Sequence, residues 1–413
     1  MNETHLNSQA IILLTAYFGK GDKPLTATEY GKFAQWLLSK EMTPADLLQN
    51  NPAEVIKDWA DKKISTERIL TLLDRGNAMA IAMQKWQNAG IWVLTRADRE
   101  YPQKLKQTLK HKSPPMLYGA GEKKILRTKG VAIIGSRAVS PEDTQFTFAL
   151  GEKLAYSGLS VVSGGARGVD EASMMGSISA GGTTIGVVAD SLMQKVLSRK
   201  YRDAVMNGNL VLISPYYPEA KFSVGNAMGR NKYIYALAYA SIVVHSGLKG
   251  GTWEGARENL KYGWVPLFVK KNSDEEAGNR ILIEMGGSPL PDTVLEDENI
   301  GYLFDIEEDI GRDITSKKKA SVGRKEKQIL TLEEKILLLL DRERLPINKI
   351  AEVIHEDEKV IKKSIGKLVK MGELKKHRNR PLQFSRILKL PGMEMFHTEV
   401  GSGMVNEKNI SDS

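Results

Sequence analysis

The 413-residue chain has no cysteine. Disulfides, thiolate zinc sites, iron–sulfur clusters and cysteine nucleophiles are therefore excluded. Histidine is also scarce: six are scattered along the chain, none in HExxH spacing, so no catalytic metal site is expected. No apolar run reaches the ~18 residues of a membrane span. The opening "MNETHLNSQAIILLTAYFGKGDKP" lacks a basic leader and a small-residue cleavage site. A cytoplasmic protein without a membrane partner is expected. GxxxxGK[ST] is missing, which excludes a P-loop nucleotidase, and so is GxGxxG. No acidic residue ends the strand that closes at Ser163, which disfavours NAD. No cofactor is expected.

What the chain does have is positive charge, with 59 Lys and Arg against 50 Asp and Glu and a formal net charge of +9. A basic balance favours polyanionic partners, nucleic acid first. The hydrophobic pattern divides the chain. Residues 1–115 carry apolar side chains at three- and four-residue spacing, which predicts a helical N-terminal domain and lead-in. From Val131 the pattern becomes short β-branched runs separated by amphipathic segments: "VAIIGS", "SVVSGG", "TTIGVVA", "LVLISPY", "SIVVHS" and "VPLFVK". Such alternation predicts an α/β domain, a doubly wound parallel sheet covered on both faces, over residues 116–310. Residues 311–328 read as a basic linker. Residues 329–390 read as three helices and a basic hairpin, the pattern of a winged helix-turn-helix. Residues 391–413 read as a disordered tail.

Ligands of doubly wound sheets bind beyond the carboxyl ends of the strands. That rule selects Gly135 to Arg137, Ser163 to Gly168, Asp190, Ser214 to Tyr217 and His245 to Thr252. Gly135, Ser136 and Arg137 follow the first strand. Ser163, Gly164, Gly165, Arg167 and Gly168 follow the second, and successive glycine N–H groups there suit an anion. Asp170 is read as the cap of the next helix. Arg230, Asn231 and Lys232 are read as a helix start; cations there oppose the helix dipole, which an anionic partner would explain. Lys249, Gly250, Gly251 and Thr252 form a last anion cradle. Tyr216, Tyr217 and Phe222 lie near enough in sequence to stack on bases. In the C-terminal part, Lys362, Lys363, Lys367 and Lys370 lie off the apolar stripe of a helix, and Lys375, Lys376, Arg378 and Arg380 load the hairpin. Both sets suit nucleic-acid phosphates.

Taken in order, "GSR" at 135–137, "VVSGGARGVDEASMMGSISAGGTTIGVVADSL", "RNKYI" and "IVVHSGLKGGTWEGARENLKYGWVPLFV" resemble the DprA/Smf family of DNA-processing proteins. The likeness spans about Gly90 to Leu390. It implies a Rossmann-like domain followed by a winged helix. It also implies a non-enzymatic mediator that binds single-stranded DNA, dimerises, and helps load a RecA-type recombinase in transformation and recombination. By the same likeness Arg137 and the Gly164–Gly168 turn would hold phosphates, with Arg230 and Asn231 near them. Duplex DNA is a further expected partner of the winged helix. The sequence departs from the family pattern at Ser173-Met174, Pro215, His245 and Gly255-Ala256. A second reading makes the chain a nucleotide-binding or phosphoribohydrolase-like protein of a bacterial conflict system, with Arg167 and Glu254 as its chemical groups.

Overall fold

The computed structural model describes residues 3–19, 23–272, 278–297 and 299–304. In the C-terminal part it describes residues 332, 336, 337, 340, 345–354, 356–370, 374–377 and 383–386. The chain divides into two compact units, Met1–Arg312 and Asp313–Ser413. The basic linker and the tail expected from the sequence lie outside the described residues.

The first unit opens with helices α1 (Glu3–Thr15), α2 (Ala27–Ser39), α3 (Asp46–Gln49), α4 (Pro52–Val55), α5 (Thr66–Leu73) and α6 (Gly76–Asn88). Thr26 and Glu29 form a capping box that starts α2. The Glu29 carboxylate also accepts from both Arg68 Nη atoms, at 3.0 and 3.3 Å, which ties α2 to α5. Phe33, Trp36 and Trp59 pack ring against ring at 5.1–5.9 Å. With Leu14, Ile56 and Leu72 they form the core of this N-terminal part, against which Ala97 beyond β1 also packs.

The sheet begins with β1 (Trp92–Thr95), then α7 (Gln103–Leu109), β2 (Met116–Ala120) and β3 (Gly130–Ile134). It continues through α8 (Pro141–Tyr156), β4 (Ser160–Ser163), α9 (Val169–Ser179), β5 (Thr184–Val187), α10 (Leu192–Leu197), α11 (Arg199–Met206) and β6 (Leu210–Ser214). It ends with α12 (Val224–Leu237), β7 (Ala240–Val243), α13 (Gly251–Tyr262), β8 (Leu267–Val269), α14 (Asn279–Glu284) and β9 (Ser288–Pro289). Each of the six apolar runs contributes a strand. The nine-stranded order is β1-β2-β6-β5-β4-β3-β7-β8-β9. From β6 to β9 all neighbours are parallel. β2 pairs antiparallel with β6, and β1 with β2. The sheet therefore reaches back to Trp92, into the lead-in, and its antiparallel edge interrupts the expected all-parallel order.

Along β3, Val131 and Ile133 face one core, and Ala132 and Ile134 face the other. This period of two places α8 and α9 on one face and α7 and α12 on the opposite face. The chain runs outward from β3 through β4 and β5 to β6. Helix α12 then returns it to β7, on the other side of β3. The reversal between β3 and β7 is a topological switch point, where the turns leaving the two strands diverge and leave a crevice.

In the C-terminal unit, helices Ile347–Ile354 and Glu358–Lys370 accompany three short antiparallel strands, Leu345–Pro346, Leu374–His377 and Gln383–Arg386. Ile336, Leu340, Ile350, Ile361, Ile365, Leu368 and Leu374 form its core.

Helices α8 and α9 touch backbone to backbone. A Cβ on Gly176 would stand 2.0 Å from the Phe148 carbonyl oxygen, and one on Gly151 2.3 Å from that of Ser173. Gly176→Leu is expected to destabilise the fold by about 1–3 kcal/mol or more, read as a lower urea midpoint.

Candidate nucleic-acid interface

The switch point opens into two adjoining clefts of about 270 and 350 Å³, which share Arg137, Ala166, Phe222 and Arg230. β3 delivers Gly135, Ser136 and Arg137, and β4 delivers the Gly164–Arg167 turn. The two turns are laced to their surroundings by backbone. Ser136 N–H donates to the His245 carbonyl at 2.9 Å, and Val169 N–H to the Ser136 carbonyl at 3.3 Å. Gly168 sits at φ +89°, and a Cβ there would lie 2.5 Å from the Ser136 oxygen. Only glycine fits where the turns meet. Arg137 is exposed, with its guanidinium 5.0 Å from the Phe222 ring centre. Arg167 and Lys249 are exposed as well. The clefts hold five cationic side chains, Arg137, Arg167, Lys195, Arg230 and Lys249, against two carboxylates, Asp170 and Asp190. Lys195 pairs with Asp190 at 3.4 Å.

The floor is a buried charge pair. Arg230 and Asp170 are each only 5% exposed, with Nη1 of Arg230 3.9 Å from Oδ2 of Asp170. That separation leaves Coulomb attraction without a hydrogen bond. Nε and Nη1 of Arg230 have no hydrogen-bond partner among the described residues, and neither has Oδ1 of Asp170. Burial lowers the Arg230 pKa, while Asp170, Tyr216 and Asp190 hold it up. Burial raises the Asp170 pKa; the Arg230 charge and the N–H groups of Ala166, Gly135 and Gly164 oppose that shift. Gly164 makes room for the pair: a Cβ on it would stand 1.5 Å from Arg230 Nη1.

Several sequence expectations need correction. Arg230, Asn231 and Lys232 do not start a helix. Ser223 caps α12, and the three residues lie in its middle. The supposed conflict with the helix dipole disappears, and burial of Arg230 takes its place as the notable feature. Asp170 does not cap α9, whose N-cap is Gly168 without a side-chain bond. Asp170 stands in the first turn and directs its carboxylate at the glycine-turn N–H groups. The protein's own anion thus occupies part of the expected nest. Ser163 is fully buried, and its hydroxyl donates to the Ile133 carbonyl at 2.7 Å. Lys232 lines neither cleft and lies near Glu258 and Lys112. Asn231 reaches the second cleft, and its amide donates to the Gly251 carbonyl at 2.9 Å.

Gly250 (φ +103°), Gly251 and Thr252 stand at the start of α13 and line the second cleft. Of the three aromatic candidates only Phe222, half exposed, faces the clefts. Tyr216 and Tyr217 line a separate cavity. Glu254 lines neither cleft and pairs with Arg257 at 3.5 Å. Sequence reasoning overlooked Lys195 and the apolar wall of Val224 and Met228. Lys195, on the helix just after β5, was within reach of the strand-end rule. In the C-terminal unit Lys362, Lys363, Lys367, Lys370, Lys375 and Lys376 are exposed. Arg378 and Arg380 lie outside the described residues.

Fold and crevice together define a doubly wound α/β protein with a cation-lined switch point. Residues 92–297 match the family model described as DNA recombination-mediator protein A. The DNA processing protein DprA of Bacillus subtilis is 27% identical over 262 residues, 58% of this chain and 87% of that one. DNA processing protein A of Streptococcus pneumoniae superposes with a TM-score of 0.54 at 19% identity, covering 70% of this chain and 95% of its own. DNA processing protein A of Helicobacter pylori, known in its single-stranded DNA binding mode, is 30% identical. That match covers 48% of this chain and 89% of that one, with a TM-score of 0.42. The chain belongs to the DprA/Smf family.

The raised Asp170 carboxyl has a pH signature. A carboxyl with an elevated folded-state pKa favours folding most below its unfolded pKa of about 3.9, and that contribution is lost as pH rises through the folded value. Asp170→Asn does not titrate there. The wild type is therefore expected to lose stability relative to Asp170→Asn as pH rises above about 4, measured by urea denaturation at a series of pH values.

Proposed function

We propose that this protein is a non-enzymatic mediator that binds single-stranded DNA along the switch-point crevice. In this reading it shields the strand during transformation and recombination and passes it to a RecA-type recombinase. The observation that carries the reading is Arg230: a guanidinium on the cleft floor, nine-tenths buried, with two nitrogens unbonded. A buried donor left without a partner is costly, and a phosphate oxygen would satisfy it with a charge-assisted bond. Exposed Arg137, Arg167 and Lys249 supply further phosphate contacts around it. Phe222, beside Arg137, offers a face to an unpaired base, which a duplex would keep stacked inside. Family membership supports the same ligand class.

Homodimer formation and contact with a recombinase are carried over from the family likeness. The C-terminal unit is read as a winged helix whose exposed lysines at 362, 363, 367, 370, 375 and 376 contact nucleic acid, duplex included. A phosphoribohydrolase would need Glu254 beside Arg167; its absence from the lining of both clefts weighs against that reading.

Titration of labelled oligo-dT at several salt concentrations tests the proposal. Each phosphate contact adds about 0.7 to the slope of log K against log salt for a single strand. Arg137→Ala is expected to weaken binding and flatten the slope by about that amount. Salt-insensitive binding, or an unchanged Arg137→Ala variant, would overturn it.

A further inference from the structure

A third cavity, of about 610 Å³, lies apart from the two clefts. It is lined by Thr15, Tyr17 and residues 23–27 at the ends of α1 and α2, by the Pro114-Pro115 turn and by the loop after β6. Its volume falls within the ~300–1,000 Å³ of small-ligand sites. Five tyrosines line it: Tyr17, Tyr118, Tyr216, Tyr217 and Tyr233. Among the described residues Lys23 is its one cationic lining residue, and none of the described lining residues is acidic.

The rings are held in place. Tyr216 Oη donates to the Asn226 carbonyl at 3.0 Å. Tyr217 Oη donates to Glu219, whose carboxylate also takes Lys85 Nζ at 2.7 Å. Burial and that carboxylate push the Tyr217 hydroxyl up to about 12, so it stays a neutral donor near neutral pH. The Tyr17 ring meets Tyr217 edge-on, with centroids 5.2 Å apart and planes at 81°. Tyr17 is 44% exposed, so much of its ring remains open.

The cavity and the clefts share a wall. Along the loop from β6 to α12, Tyr216 and Tyr217 face the cavity, and Phe222 faces the clefts. At the start of α12, Asn226 faces the cavity, and Val224, Ala227 and Met228 face the second cleft. The loop from β6 to α12 thus carries aromatic side chains to both the cavity and the clefts.

We propose that the tyrosine cavity is a second DNA subsite, which takes unpaired bases of the strand leaving the clefts, with Lys23 on the adjoining phosphate. Preformed aromatic surface beside the Lys23 cation matches a base and its phosphate. The subsite gives the N-terminal helices a direct share in binding, because Tyr17 and Lys23 come from them. The proposal rests on the single-stranded DNA reading above.

The test compares full-length wild type, Tyr17→Ala, Tyr17→Phe and Arg137→Ala on oligo-dT of about 6 and about 16 nucleotides. Tyr17→Ala is expected to weaken the longer strand roughly tenfold and leave the shorter one unchanged, with Tyr17→Phe close to wild type. Replacing the bases of the longer strand's outer half by abasic sites should erase the difference between wild type and Tyr17→Ala. Photocrosslinking with 5-iododeoxyuridine in that half should label Tyr17 or Tyr216. If Arg137→Ala weakens both lengths while Tyr17→Ala changes neither, the cavity proposal alone falls. If neither variant changes binding, the phosphate reading falls with it.

Discussion

The crevice depends on one buried ion pair. Arg230 enters from the middle of α12, and Asp170 from the first turn of α9, on the opposite face of the sheet. They meet beneath Gly164, where any side chain would collide with the guanidinium. Neither charge tolerates removal from water alone. Each neutralises the other at 3.9 Å without using up its hydrogen-bonding capacity. The pair pins together the β3 turn, the β4 turn and α12, the parts that shape the two clefts. It also leaves Nε and Nη1 of Arg230 without a hydrogen-bond partner among the described residues.

The two helix N-termini at the switch point are used differently. That of α9 is met from within by the Asp170 carboxylate, so its positive end serves structure. That of α13 begins at an exposed glycine pair beside Lys249 and stays open. Positions that depart from the family pattern are absorbed by local packing. Ser173 is buried and its hydroxyl donates to the Asp170 carbonyl at 2.9 Å; Met174 joins the core. His245 lies 3.4 Å from Asp143, which also takes Lys270 at 3.0 Å. Gly255 leaves space for Asn231, whose amide nitrogen a Cβ would approach to 3.2 Å. These substitutions repack the surroundings while Arg137, Arg167 and Lys249 remain exposed.

The N-terminal helices keep their own aromatic core yet are bound to the sheet. Ser8 Oγ donates to Asp98 at 2.6 Å, just beyond β1, and Trp86 packs edge-on against Tyr118 of β2 at 4.8 Å. This docking, along the antiparallel edge, brings Tyr17 beside Tyr217.

The sequence by itself determined the strands and the glycine turns, since β-branched runs buried on both faces and glycines at positive φ are local requirements. It determined Arg137, Lys249 and the Gly250–Thr252 helix start as crevice groups, because the strand-end rule needs only strand boundaries. Tertiary structure decided what local pattern does not encode. Arg230 reads as one more basic residue until α12 carries it under Gly164. Asp170 reads as a cap until the sheet brings the glycine turns around it. Ser163 and Lys232 turn away for the same reason: which face a side chain takes depends on what packs over the sheet. The antiparallel edge from Trp92 and the parting of Tyr216 and Tyr217 from Phe222 are set by long-range pairing and docking, which no short stretch of sequence specifies.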